Sequence, residues 1–250
     1  MVYLTGDIHG DPRRFSTDEF PEQKELTKDD FVIILGDFGL VWSGSKDEEF
    51  WLKWLNNKPF TTLFVDGNHE NFDKLYKYPV VDYHGGKAHQ IRDSVYHLMR
   101  GYVFEFCGKS FFAFGGASSH DIKDGILDPE DYIDYEEFSK KLKLWFKQRK
   151  QFRINHVSWW KEELPNQEEM DRGIKNLEKN NWQVDYVISH CFPQSVSSYM
   201  GFYSPDILTN YFEEIAKKLN FEKWYAGHYH REEQIFRNYI EMYYEIKRVV

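Results

Sequence analysis

The apolar positions of this chain fall into short runs that end abruptly at glycine. Val2 to Thr5 reads as a first strand and stops at Gly6-Asp7. Phe31-Val32-Ile33-Ile34-Leu35 is continuous and apolar, as in a strand covered on both faces, and stops at Gly36-Asp37. Thr61 to Val65 is a third run, followed by Asp66-Gly67-Asn68-His69. Between the second and third, Ser45 with Glu48 three residues on has the form of a capping box. Phe50, Trp51, Trp54 and Leu55 then supply the apolar side of a helix. Three strands that end beside carboxylates, amides and imidazoles put polar chemistry where open α/β sheets bind ligands, beyond the carboxyl ends of their strands.

Further along, Val95 to Met99, Tyr102 to Phe106 and Ser110 to Phe114 predict a meander, with Cys107-Gly108-Lys109 as one turn and Gly115-Gly116 at its end. Residues 117–165 are polar, charged and rich in aromatics, with Pro129 and Pro165 as punctuation, and read as an insertion that is helical between Tyr135 and Lys150. Gln167 to Lys179 predicts a helix, and Val184 to Ile188 a strand ending at Ser189-His190. Asp206 caps a helix expected to run through Leu219. Phe221 to Ala226 leads into Gly227-His228-Tyr229-His230, and Ile235 to Ile246 closes as a hairpin or pair of strands. Chemistry-bearing residues lie near both ends, so residues 1–250 are expected to form one domain whose first and last strands share a core.

Composition narrows the classes. Of 250 residues, 41% are apolar and 18% aromatic, enough for a sizeable core and unlike a disordered chain. The net charge of −9 argues against general binding to nucleic-acid backbone, which needs a basic face. It leaves room for an anionic substrate, because bound divalent cations reverse the local field. Two cysteines, Cys107 and Cys191, allow one disulfide, but no secretion signal precedes them and a reduced state is expected. With no apolar stretch near the roughly 18 residues of a membrane span, the expected setting is soluble and cytoplasmic.

Taken singly, the polar fragments are ambiguous. Asp7-x-His9 can turn two ligands toward one ion or make a turn with a capping Asp. Asp37 after Gly36 is commonly a turn residue. Gly67-Asn68-His69-Glu70 adds an imidazole and a carboxyl to a turn sequence. His190 alone reads as a structural histidine. Gly227-His228-Tyr229-His230 is the strongest, with two imidazoles at a period of two on a strand end.

In order, Asp-x-His, Gly-Asp, Gly-Asn-His-Glu, His and Gly-His-x-His span Gly6 to His230, and this resembles the calcineurin-like metallophosphoesterase superfamily. The resemblance implies an α/β fold with two packed mixed β-sheets flanked by helices. It implies two divalent transition-metal ions, one held by Asp7, His9 and His230, the other by Asn68, His190 and His228, with Asp37 bridging. Manganese leads, and Fe, Zn, Co or Ni also suit the oxygen and nitrogen donors. The implied reaction is hydrolysis of a phosphate ester by a metal-bridging hydroxide, with His69 protonating the leaving group or stabilising its charge. The other reading of His69 is a residue that orients Asn68.

The pattern departs from the protein-phosphatase branch. Leu40 stands where that branch has an Asp supporting the acid His, its phosphate-clamping Arg is missing, and a second His is added in Gly-His-x-His. This favours a phosphodiester or nucleotide-type substrate. A phosphomonoesterase and a non-catalytic metal-binding interaction module are the alternatives. Substrate contacts could come from Arg13, Arg14, His120 or Arg153; the arginines read more readily as ordinary surface residues, and His120 equally well as part of a tight turn that opens the insertion. Trp159 and Trp160 could stack on a base or anchor the insertion on the core, and the core is favoured.

Overall fold

The computed structural model describes residues 1–202 and 204–250. The three apolar runs form β1 (Val2–Thr5), β2 (Phe31–Leu35) and β3 (Thr61–Val65), which lie parallel. Their residues are buried on both faces, which is why the runs do not alternate. Helix α1 (Lys46–Asn56) connects β2 to β3, and the short α2 (Phe72–Leu75) follows. Ser45 caps α1 as expected, but the box is not reciprocal. The Glu48 carboxylate takes the N–H groups of Ser43 and Gly44, at 2.6 Å each, and so ties down the preceding loop.

β4 (Val80–Tyr83) and β5 (Gly86–Arg92), which the sequence pattern does not announce, extend this first sheet. β6 (Val95–Leu98) completes it, parallel to β3 and antiparallel to β5. The expected meander is therefore split. The chain crosses at Arg100-Gly101, and β7 (Tyr102–Phe106) pairs with β8 (Lys109–Phe114) as the first hairpin of a second sheet.

Within the predicted insertion, β9 (Gly125–Leu127) and β10 (Phe152–Ile154) pair in parallel and bracket α3 (Tyr135–Lys147). Trp160 does anchor this stretch: it is buried in the first sheet's outer core, and its indole N–H donates to Asp73 Oδ2 at 2.7 Å. Helix α4 (Gln167–Lys179), with a reciprocal Asn166/Glu169 box, leads to β11 (Tyr186–Ser189). Helices α5 (Gln194–Tyr199) and α6 (Ile207–Ala216), the latter capped by Asp206, precede β12 (Lys223–Ala226). β13 (Glu233–Gln234) and β14 (Tyr239–Glu241) form the closing hairpin, and β15 (Lys247–Arg248) returns to pair with β1.

The sheet orders are β15-β1-β2-β3-β6-β5-β4 and β13-β14-β12-β11-β8-β7. A core of Leu4, Ile33, Leu63 and Val65 from one sheet and Phe104, Phe111, Ile188 and Ile240 from the other fills the space between them. The outer face of the first sheet packs on α1 and α2, and that of the second on α4 to α6. This is the expected arrangement of two mixed sheets flanked by helices. Cys107 and Cys191 are free thiols, exposed and buried respectively. Among the described residues, no helix is long and apolar enough to cross a membrane.

Candidate metal centre

Each candidate ligand follows a strand end. Asp7 and His9 come after β1, Asp37 after β2 and Asn68 after β3, while His190 follows β11 and His228 and His230 follow β12. Five parallel strands from two packed sheets thus deliver seven side chains to one edge.

Their backbones are held away from their preferred conformations. His9, Asp37, His228 and His230 have φ of +45°, +46°, +72° and +58°. For a residue with a Cβ this region costs roughly 1–2 kcal/mol. Cross-loop hydrogen bonds hold it. The Asp37 carbonyl accepts from the N–H of Ile8 at 3.3 Å and of His9 at 2.8 Å. Asp7 Oδ1 accepts from His228 N–H at 3.0 Å, and Asp37 Oδ1 from His69 N–H at 2.8 Å. The buried Glu70 carboxylate receives Phe38 N–H at 2.7 Å and so fixes the loop after Asp37. Two glycines permit the approach: a Cβ on Gly67 would fall on Asp37 Oδ1, and one on Gly36 (φ +100°) on the His190 ring.

The resulting distances are short enough for the side chains to share an ion. His9 Nε2 and His230 Nε2 lie 3.0 Å apart, and His230 Nε2 lies 3.0 Å from Asp7 Oδ2. Donor atoms bound to one ion at about 2.0–2.2 Å are spaced by roughly 3 Å. His190 Nε2 is 3.3 Å from Asp37 Oδ1, and its Nδ1 is 3.7 Å from Asp7 Oδ1. Among the described residues, two groups have ligand atoms all within 4.8 Å of one another: Asp7, His9 and His230, and Asp7, Asp37 and His190. Asp7 therefore reaches both groups, whereas the sequence reading gave it to one. His228 stands beside the second, its ring 4.9 Å from that of His190.

At the centre, the buried Asn68 Oδ1 and His190 Nε2 make no regular hydrogen bond, although His190 Nε2 lies 3.3 Å from Asp37 Oδ1. His190 donates Nδ1–H to the Leu35 carbonyl at 2.7 Å, which turns Nε2 toward Asp37 Oδ1. A buried acceptor such as Asn68 Oδ1 is costly to leave without a donor or a cation. Charge points the same way. Burial disfavours a charged His190, yet the Asp37 and Asp7 carboxylates outweigh it and push its pKa up to about 10. His228 goes the other way, held well below the ordinary value by burial and by His190. The centre calls for positive charge on the His190 side while its neighbour stays a neutral donor. Nitrogen and oxygen donors in this mixture suit a divalent transition metal.

The sequence model of the family described as calcineurin-like phosphoesterase matches residues 1–232. The chain belongs to that family. Comparison with curated proteins gives no match. Family membership carries metal-dependent hydrolysis of phosphate esters as the general activity.

The other predicted residues are dispersed around the centre. His69 sits with its ring 5.3 Å from that of His9. Burial lowers its pKa against the pull of Asp37, and the positive charge of Arg153 lowers it further. Arg153 is paired with Asp121 through Nε, at 2.8 and 3.0 Å. His120 packs its ring 5.1 Å from that of His228. Arg13 is exposed and gripped by Asp11. Arg14 is buried and points into the backbone: Nη2 donates to the Asp7 carbonyl at 2.6 Å and Nη1 to the Tyr243 carbonyl and Thr5 Oγ1. It braces the first and last motif loops from behind. Leu40, at the position where a polar support is absent, is a core residue.

Sequence reasoning missed a buried frame. Asp66, one residue before Gly67, accepts from Arg100 Nε at 2.9 Å and from His97 Nε2 at 3.0 Å. Ser119 and Glu163, from the predicted insertion, are hydrogen-bonded to each other beneath Asn68. The only available signal was the adjacency of Asp66 and Ser119 to motif residues.

Proposed function

We propose that this protein hydrolyses a phosphodiester or nucleotide-type ester, using two divalent cations held by Asp7, His9, Asp37, Asn68, His190, His228 and His230, with manganese the leading candidate. Residues 1–250 act as one domain in this reading, with residues 117–165 covering part of the groove. The carrying observation is that the ligand cluster is flanked by two clefts. One, of about 620 Å³, is lined by Asp7, His9, Arg13, Tyr243 and Tyr244. The other, of about 630 Å³, is lined by His120, Phe202, Tyr229 and His228. A phosphorus seated at the cluster has room for a substituent in each, which a diester has and a monoester does not. Aromatic walls on both sides suit flat or sugar-bearing groups.

When bound, the cations would neutralise phosphoryl oxygens and lower the pKa of the attacking water. The chain's own residues do the rest. Asp7 and Asp37 supply the anionic charge that retains the cations. His69, beside His9 and with its N–H locked to Asp37 Oδ1, offers a ring N–H to the departing oxygen. Glu70 keeps the Asp37 loop from relaxing. With Leu40 in the core, that position offers His69 no polar support, which favours a leaving group that needs little protonation.

The test is hydrolysis of bis(p-nitrophenyl) phosphate against p-nitrophenyl phosphate by manganese-loaded protein, with a chelated control. Chelator-sensitive turnover favouring the diester is expected. Turnover of the monoester alone would replace this reading with a phosphatase, and no turnover of either by fully loaded protein would replace it with a binding module.

A further inference from the structure

An asparagine can present either end of its amide to a metal site, and only the oxygen is a good ligand. Which end faces the centre here follows from counting protons. Glu163 Oε1 accepts the Ser119 backbone N–H at 3.0 Å, and Oε2 accepts the Ser119 hydroxyl at 2.6 Å. Burial raises the pKa of Glu163 against the two hydrogen bonds from Ser119; above that pKa it is a carboxylate with no proton to return, and the single hydroxyl proton is committed to it. Ser119 Oγ can then only accept, and its neighbour in Asn68 must be the amide nitrogen, at a long 3.4 Å. Asn68 Oδ1 is left pointing the other way, buried and without a protein partner. All three residues are buried.

The pair is anchored to the strand that carries Asn68. Arg100 Nη2 donates to the Glu162 carbonyl at 2.7 Å, and Nε of the same guanidinium donates to Asp66 Oδ2 at 2.9 Å. Asp66 directly follows β3, and the chain continues through Gly67 to Asn68. The Gly116 N–H donates to the Asp66 carbonyl at 2.8 Å, which fixes the start of the loop that bears Ser119.

We propose that Ser119 and Glu163 are positioning residues that polarise the Asn68 amide, holding its oxygen toward the second cation site. The proposal rests on the reading of Asn68 as a ligand. It gives the predicted insertion a role in building the centre as well as in covering it.

The discriminating variant is Glu163→Gln, which keeps volume and shape. The Ser119 N–H still requires an oxygen, so the new carboxamide must turn its nitrogen toward Ser119 Oγ and donate. The hydroxyl proton then points at Asn68, whose oxygen rotates to meet it, and an NH2 group faces the cation site. Manganese titration by calorimetry and electron paramagnetic resonance at about pH 8 reads the result. In Glu163→Gln the second equivalent is expected to bind roughly 10–100-fold more weakly, the size of effect seen when a partner of a metal ligand is lost, with the first unchanged. The coupled two-ion spectrum gives way to a single-ion one. Ser119→Ala behaves likewise, and Ser119→Thr, which keeps the hydroxyl, retains both ions.

Wild-type affinity for both equivalents in Glu163→Gln overturns the proposal, as does equal weakening of both ions, which marks general disruption. Wild-type protein that binds fewer than two ions overturns the reading of the centre itself, and this is seen before any variant is compared.

Discussion

Replacing Arg100 with methionine tests the frame beneath the centre most directly. Arg100 is 1% exposed and holds four acceptor groups: Asp66 Oδ2, Glu169 Oε2 at 3.2 Å, and the carbonyls of Glu162 and Glu163. Asp66 is fully buried, and its other oxygen accepts from His97 Nε2, whose Nδ1 faces His89 Nδ1 at 2.9 Å. Burial and His97 push the pKa of His89 down to about 3, so that ring is neutral and offers no second cation. Methionine fills much of the space but leaves the Asp66 carboxylate without its guanidinium. Removing one partner of a buried pair costs about 3–5 kcal/mol. In a chain of this size, that lowers the melting temperature by roughly 6–20 °C.

The pH dependence adds a sign. In the wild type, burial opposes the charge on Asp66, but Arg100 and His97 outweigh it and hold its pKa far below the carboxylate range. Such a group stabilises the fold above the unfolded value of about 3.9, and that stability is lost as pH falls. In Arg100→Met burial prevails, the folded pKa rises above the unfolded one, and the variant gains on acidification. The gap between the two proteins is therefore widest near about pH 7.5 and narrows toward about pH 4.5. Urea unfolding with chelator present measures it at both values. Adding Asp66→Asn to Arg100→Met removes the bare charge and recovers most of the loss at the higher pH. A loss under about 1 kcal/mol, the size of a surface pair, would refute the reasoning, as would a gap that widens in acid.

Asp37→Asn removes the carboxylate that lies against His190 at 3.3 Å and His9 at 3.7 Å. Bound metal and turnover are both expected to fall by more than about 10–100-fold, the effect of losing a mere ligand partner. Two full equivalents with full rate would show that Asp37 does not bridge. Glu241 is buried, Oε1 accepts from Arg231 N–H at 2.6 Å, Oε2 has no partner, and burial raises its pKa to about 7. The folded state therefore holds this proton longer than the unfolded one, and stability drops as pH rises from about 4.5 to about 7. Glu241→Gln removes a cost of roughly 2–4 kcal/mol at about pH 8, less the penalty of its own unpaired amide N–H, so thermal unfolding there shifts upward. Lower stability than wild type at that pH would contradict the assignment.

What could be read in advance depended on how locally each feature is encoded. β1, β2 and β3 were legible because both faces are buried, so their residues are apolar without interruption. β4 and β5 were not, since Val80 is exposed, and Asp82 and Lys87 pair on the surface. Val95–Leu98 and Tyr102–Phe106 carry the same kind of pattern, and nothing in either says which sheet it joins. The separation is made at Arg100-Gly101, where a buried guanidinium and a glycine at φ +80° turn the chain across. The clustering of the candidate ligands was legible because each motif is a few residues long and ends a strand. The residues bonded beneath Asn68 were not, because Ser119 lies 51 residues from Asn68 and Glu163 a further 44 along. Serine and glutamate in a polar stretch read as surface by default. They are buried here because they satisfy one another: Glu163 takes both Ser119 donors, and Ser119 Oγ accepts from the Asn68 amide. The same need accounts for the burial of Arg100: the carbonyls of Glu162 and Glu163 reach the interior only if a donor meets them there, and Asp66 supplies the counter-charge that keeps that donor in place.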